Sequence, residues 1–169
     1  MNYKMVGFVL GRIFLIEAAL MLFPMGCAAI YGEWSIVLSF LWPALIVLAL
    51  GLITSLRTPK NTKIYARDGL AIVALVWVLM SVFGALPFVI SGEIPSFVDA
   101  FFETVSGFTT TGSSILSNVE AMSKGLLYWR SFSHWLGGMG VLVFLVAVIP
   151  KGKDNDAESL YILRAESPG

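Results

Sequence analysis

The chain has 169 residues, 57% of them hydrophobic and 13% charged, with a mean hydropathy of +0.84. Soluble domains carry about 25% charged residues, so this composition argues for a membrane protein. A formal net charge of zero gives no electrostatic footprint for nucleic acid, and one cysteine with one histidine leaves no basis for an internal disulfide, a cysteine metal cluster or a histidine-based catalytic centre.

The first apolar run extends from Met5 to Tyr31. Gly26-Cys27-Ala28-Ala29 faintly resembles a lipoprotein cleavage site, but Pro24 is poorly suited three positions before the cysteine. Glu17 interrupts the run, which is longer than the hydrophobic region of a signal peptide, so it reads as a retained membrane helix. Four segments have the length of a span: approximately Val6–Tyr31, Trp34–Leu56, Gly69–Ile90 and Leu126–Ile149. A hydrocarbon core of about 30 Å takes about 20 helical residues. Gly32-Glu33 reads as a tight turn, and the charged loop Arg57–Asp68 contains Pro59, which breaks a continuous helix.

Lys4, the loop residues Arg57, Lys60, Lys63 and Arg67, and Lys151 and Lys153 fall on one side of these spans. Glu33, Glu93, Asp99, Glu103 and Glu120 fall on the other, with Lys124. The bias of Lys and Arg toward the cytoplasm predicts a multi-pass protein with both termini cytoplasmic.

Between the third and fourth spans lies a stretch too short to cross a bilayer. Pro95 precedes it, Ser96 and Asp99 form a pair resembling a capping box, and Gly107 is suited to close the helix. Phe97, Phe101 and Val105, with Val98 and Phe102 alongside, predict one packing face. Tyr128, Trp129 and Trp135 fit an interfacial start to the last span.

The short helix leads into Ser106-Gly-Phe-Thr-Thr-Thr-Gly-Ser-Ser114. Polar backbone at membrane depth is tolerated only inside protein or along a water-filled path. Carbonyl oxygens can replace the water of a dehydrating cation, as in potassium filters. Thr109, Thr110 and Thr111 offer carbonyls and hydroxyls, Gly112 allows a backbone shape that a Cβ disfavours, and the negative end of the helix dipole favours a cation there. The competing reading is an ordinary helix C-cap and turn at the membrane surface. The expected fold is an all-α membrane protein with four transmembrane helices plus one re-entrant pore helix and filter loop.

Five stretches carry a resemblance to a known family: Gly84-Ala-Leu-Pro-Phe88, Asp99-Ala-Phe-Phe-Glu-Thr104, Ser106-Gly-Phe-Thr-Thr-Thr-Gly112, Trp135-Leu-Gly-Gly-Met-Gly140 and Arg164-Ala-Glu-Ser-Pro-Gly169. Together they resemble the membrane subunit of Trk-type potassium uptake systems, in the Trk/Ktr/HKT superfamily. The resemblance implies a two-helix transmembrane extension over residues 1–57, a cytoplasmic basic loop over 58–68, the first of four helix–pore loop–helix repeats over 69–150, and a cytoplasmic linker over 151–169 toward a second repeat. It places the filter glycine at Gly112 and the potassium-contacting carbonyls at Thr110 and Thr111, with Thr109 and Ser113 supporting the filter. The chain then corresponds to the N-terminal third of a subunit in a bacterial plasma membrane. Potassium is the substrate, with no covalent cofactor and no catalytic residue. The implied partners are the lipid bilayer, the other three repeats, a second full-length subunit in a homodimer, and a cytosolic nucleotide-binding regulatory subunit. The loop lacks the Thr-Val-Gly-Tyr-Gly of tetrameric potassium channels, which implies looser selectivity. Two other readings are a small homotetrameric channel with one pore loop per chain and a structural membrane protein without transport.

Glu17, Glu103 and Arg130 are candidates for an electrostatic role. Glu17 is an intramembrane acid, either a transport group or a structurally bonded or protonated one. Arg12 is about 140° away around the helix and can snorkel to the interface. Arg130 either pairs with a pore-region acid, Glu103 or Glu120, or stands as a positive charge beside the ion path, and His134 lies four residues on along the same face. His134 reads as a packed polar residue, and Gly137, Gly138 and Gly140 as points of close helix approach or a hinge.

The orientation is tested by cysteines placed at Lys63 and at Glu93 in a Cys27→Ala background. An impermeant maleimide on intact cells is expected to label position 93 and not 63; the reverse pattern overturns the topology.

Overall fold

The computed structural model describes residues 3–56 and 66–148. The described residues form six α-helices: α1 Tyr3–Leu20, α2 Leu22–Ile30, α3 Trp34–Ser55, α4 Ala66–Ser91, α5 Phe97–Phe108 and α6 Lys124–Val148. A 3-10 turn, Val119–Ala121, precedes α6. Most of the expected basic loop and the tail from residue 149 lie outside the described residues.

The first span is one apolar path from Tyr3 to Ile30, interrupted at Met21. Pro24 accounts for the interruption, because it has no N–H for the carbonyl of Leu20 and its ring crowds that carbonyl. The turn after α2 is a Schellman motif. Gly32 sits at φ 74°, its N–H reaches Ala29 O at 3.1 Å, and the Glu33 N–H reaches Ala28 O at 2.9 Å. Tyr3–Ile30, Trp34–Ser55 and Gly69–Ser91 are three helical stretches long and apolar enough to cross a membrane among the described residues. The fourth expected span coincides with α6, a helix of 25 residues.

Helices α1 and α3 pack side by side through small residues. A Cβ on Gly51 would lie 3.0 Å from Gly11 O, and a Cβ on Gly11 would meet the Thr54 side chain. Helix α4 packs on α1 and α3 and, on its other side, on α5, which is held between α4 and α6. The main core joins these layers through Met21, Phe40, Phe88, Phe108, Leu126 and Trp129. Trp129 is fully buried, with edge-on contacts to Phe40 at 6.0 Å and Phe108 at 6.3 Å between ring centroids. Its indole N–H donates to Gly84 O at 2.9 Å. The sequence places Trp129 at the membrane interface; instead it is a core residue, because the carbonyl of Gly84 gives its N–H a partner inside the fold. Tyr128 and Trp135 are exposed, flanking Phe132 in a stacked ladder.

Two expectations for the short helix are corrected. Ser96 accepts the Asp99 N–H at 3.4 Å as an N-cap should, but the fully buried positions are Ala100, Glu103, Thr104, Ser106, Gly107 and Phe108. Of the expected face, Phe101 is half-buried against the main core and Val105 is half-buried, while Phe97, Val98 and Phe102 are exposed. Close approach explains the difference: a Cβ on Gly84 would lie 2.9 Å from Thr104 Cγ2, and one on Gly107 would collide with Ser133 Oγ. Only small or bonded polar residues fit that gap. Gly107 therefore lies within the helix as a contact residue and does not close it.

Helix α6 is started by carboxylates from elsewhere in the chain. Glu33, in the turn between α2 and α3, accepts the N–H groups of Lys124 at 2.9 Å and Gly125 at 3.0 Å, one on each oxygen. Glu93 accepts the N–H of Ser123 at 3.2 Å. These are donors that a helix leaves unsatisfied at its N-terminus, and negative charge is favoured there. The turn between α2 and α3 is thereby fixed to α6. Replacing Glu33 by Ala is expected to cost about 1–2 kcal/mol, the scale of a lost N-cap, seen as a drop of a few degrees in the unfolding midpoint in detergent. Glu120→Ala, at an exposed position, serves as the unchanged control. Equal midpoints for the two variants would contradict this role for Glu33.

Candidate ion-coordinating loop

Helix α5 has 12 residues, ends at Phe108 and passes directly into the Thr/Gly loop. The junction has Schellman geometry: the Thr110 N–H reaches Gly107 O at 2.9 Å and the Thr111 N–H reaches Ser106 O at 3.0 Å. The C-cap reading thus describes the first turn of the loop correctly. The residue in the left-handed position is unusual, however. Thr110 has φ 57°, and a β-branched residue there is strained where glycine is the ordinary choice. Gly112 follows at φ 76°, a conformation that side chains rarely adopt.

The loop is held mainly through its hydroxyls and N–H groups. Thr109 Oγ1 donates to Val105 O at 2.8 Å and lies 2.8 Å from Thr111 Oγ1. Thr110 Oγ1 donates to Thr109 O at 2.7 Å. Ser106 Oγ donates to Ser113 O at 2.6 Å, tying the far end of the loop back to α5. Among the described residues, the carbonyl oxygens of Thr110, Thr111 and Gly112 accept no hydrogen bond. Residues 109 to 113 are exposed on this chain.

Glu103 anchors the next residues. Its carboxylate is fully buried and is shared by three donors. Oε1 accepts Arg130 Nε, while Oε2 accepts Ser114 Oγ at 3.0 Å and the Ile115 N–H at 3.2 Å. Of the two acids considered for Arg130, the structure pairs it with Glu103 and leaves Glu120 exposed. Arg130 O also accepts Ser133 Oγ at 2.7 Å and lies 2.8 Å from His134 Nδ1.

Helix α6 presses against the loop where it carries glycine. A Cβ on Gly137 would stand 2.1 Å from Phe108 O, one on Gly138 3.9 Å from Thr110 Cγ2, and one on Gly140 3.1 Å from Trp77 Cη2. Close approach therefore requires glycine at 137 and crowds 140, while 138 has ordinary clearance. Glu17 is not part of this assembly. It is buried in α1, and among the described residues neither carboxylate oxygen has a hydrogen-bond partner. The Arg12 guanidinium lies over the Phe8 ring at 5.3 Å. Ser106 and Ser114 are support residues that sequence reasoning did not single out; their one signal is that they bracket the threonines as polar residues in an apolar context.

The profile of the TrkH family, described as cation transport protein, matches residues 38–168. The chain belongs to the TrkH family. It is 36% identical over 151 residues to the Trk system potassium uptake protein TrkG of Escherichia coli K12, covering 88% of this chain and 31% of that protein. It is 37% identical over 144 residues to an uncharacterized cation transporter of Methanocaldococcus jannaschii, covering 85% of this chain and 30% of that protein. The crystal structure of the potassium transporter TrkH from Vibrio parahaemolyticus superposes with a TM-score of 0.81 at 28% identity, covering 98% of this chain and 37% of that one. The chain spans about a third of the length of the relatives it matches. TrkH proteins are membrane transporters rather than enzymes.

Removing Glu103 leaves the Arg130 guanidinium, 15% exposed, without its partner. Glu103→Ala is therefore expected to cost about 3 kcal/mol, the lower end for breaking a buried pair, because water still reaches the arginine. The double variant Glu103→Gln/Arg130→Gln, which leaves no unpaired charge, is expected to lose less. Thermal unfolding of the purified variants checks the order; a single variant as stable as the parent would exclude Glu103 as the anchor.

Proposed function

We propose that this chain forms one wall of a potassium pathway, in which the carbonyls of Thr110 and Thr111, with Gly112, coordinate the dehydrated ion. The observation that carries the reading is the set of exposed, unpaired carbonyls at 110–112, held by hydrogen bonds elsewhere in the loop and beginning in a left-handed threonine. An ordinary cap has no need of a threonine at φ 57°, and strained backbone persists where the surroundings over-determine it. Thr109 and Ser113 support the loop through their bonds to α5. Arg130 and Glu103 act electrostatically by holding it in place.

Family membership supports potassium as the ion, since relatives named for potassium uptake match across the loop. The half-length α5 acts as the pore helix, with its C-terminal dipole end facing the ion. α6 is the fourth span, both termini are cytoplasmic, and the protein sits in a bacterial plasma membrane. Three further repeats complete the pore, with a homodimer of full-length subunits and a cytosolic nucleotide-binding subunit as partners. Glu17, remote from the loop, has its role in the N-terminal unit.

The test is Gly112→Ser in the complete subunit. Selectivity is a difference between dehydration and coordination for two similar ions, and about 1.4 kcal/mol in that difference changes preference tenfold. Rubidium and sodium uptake, normalised to membrane protein in cells deficient in potassium uptake, is expected to show lost discrimination or reduced uptake with insertion unchanged. Parental uptake and selectivity in the serine variant would sink the filter assignment.

A further inference from the structure

His134 is the single histidine of the chain and lies one helical turn after Arg130 on α6. Its Nδ1 is 2.8 Å from Arg130 O. A carbonyl can only accept, so Nδ1 carries the hydrogen, and in the neutral ring Nε2 is then a bare acceptor. Nε2 faces the loop: a Cβ built on Gly112 would stand 4.0 Å from it. Among the described residues Nε2 has no hydrogen bond.

The loop has under-used donors at this place. The Gly112 N–H has one long contact, 3.4 Å to Ser106 O, and that oxygen already accepts the Thr111 N–H at 3.0 Å. The Ser113 N–H has no partner among the described residues. Gly137 keeps α6 close enough for the ring to reach the loop. Few charges compete there. Residues 109 to 118 contain no titratable side chain, α4 has none from Gly69 to Ser91, and the nearby Glu103 and Arg130 are paired with each other.

We propose that His134 is a positioning residue for ion selectivity, its Nε2 serving as the acceptor that draws the Gly112 peptide N–H toward α6. In a trans peptide the N–H and the preceding carbonyl point to opposite sides. An N–H of Gly112 turned toward His134 therefore turns the Thr111 carbonyl away from α6, toward the open side of the loop. The inference rests on the filter reading above and extends it to a side chain outside the Thr/Gly motif.

The test compares His134→Phe, which keeps a ring and loses the acceptor, with His134→Gln, which keeps an acceptor. In the complete subunit, His134→Phe is expected to lose rubidium-over-sodium discrimination by about three- to tenfold, the worth of one neutral hydrogen bond, at unchanged membrane level. His134→Gln is expected to restore most of it. Equal loss in both variants, or none in the phenylalanine variant, overturns the proposal. A second measurement separates its failure from that of the filter reading. Nitrogen-15 spectra of the purified 169-residue chain in lipid report the sole imidazole without ambiguity. The expected result is the Nδ1–H form, with a Gly112 amide signal that shifts in His134→Phe. The opposite tautomer, or an unmoved Gly112 amide, refutes the contact even if Gly112→Ser establishes the filter.

Discussion

One buried carboxylate joins the helices and the loop that must stay in register. Glu103 sits on the buried face of α5 and binds α6 through Arg130 and the chain beyond the loop through Ser114 and Ile115. An ionised group in such a place is costly unless each of its oxygens is bonded, and here both are. Without that anchor, the far end of the loop would be held by the Ser106–Ser113 bond alone, with no tie to α6. The carbonyls of Thr110, Thr111 and Gly112 stay unbonded among the described residues because hydroxyls and a carboxylate elsewhere meet the demands of the surrounding backbone.

The second constraint is steric. Helices α4, α5 and α6 approach so closely that glycine is required at Gly84, Gly107 and Gly137. This contact narrows the simple reading of the short helix. Phe97, Val98 and Phe102 point outward while Phe108 joins the core, since a phenylalanine would not fit where Thr104 and Gly107 meet their neighbours. Exposure of such apolar side chains to lipid or to further protein carries no penalty of the kind water imposes.

The N-terminal helices α1 to α3 are joined to α6 by directional bonds as well as packing. The Glu33 carboxylate, far away in sequence, starts the helix that carries Arg130, His134 and Gly137. Displacing that unit would disturb the α6 N-terminus and, through α6, the wall against which the loop rests. This gives the extension a physical role in a family whose relatives are about three times the length of this chain.

Much of this was legible in the sequence, because hydrophobic length and short cap and turn motifs are local, additive signals. They mark the long helices, the half-length helix, its Ser96 cap and the polar Thr/Gly run. A resemblance carried by short motifs was enough to indicate the family. Tertiary structure alone decided which acid pairs with Arg130, that Trp129 is core, that Glu33 caps α6, and that Thr110 rather than Gly107 takes the left-handed position. Each of those outcomes depends on an atom supplied by a distant segment: a carboxylate oxygen, the Gly84 carbonyl, a free N–H, or the Ser133 hydroxyl that forces Gly107 to remain inside the helix. Periodicity and composition describe a segment against an average environment, and these contacts are set by a particular one.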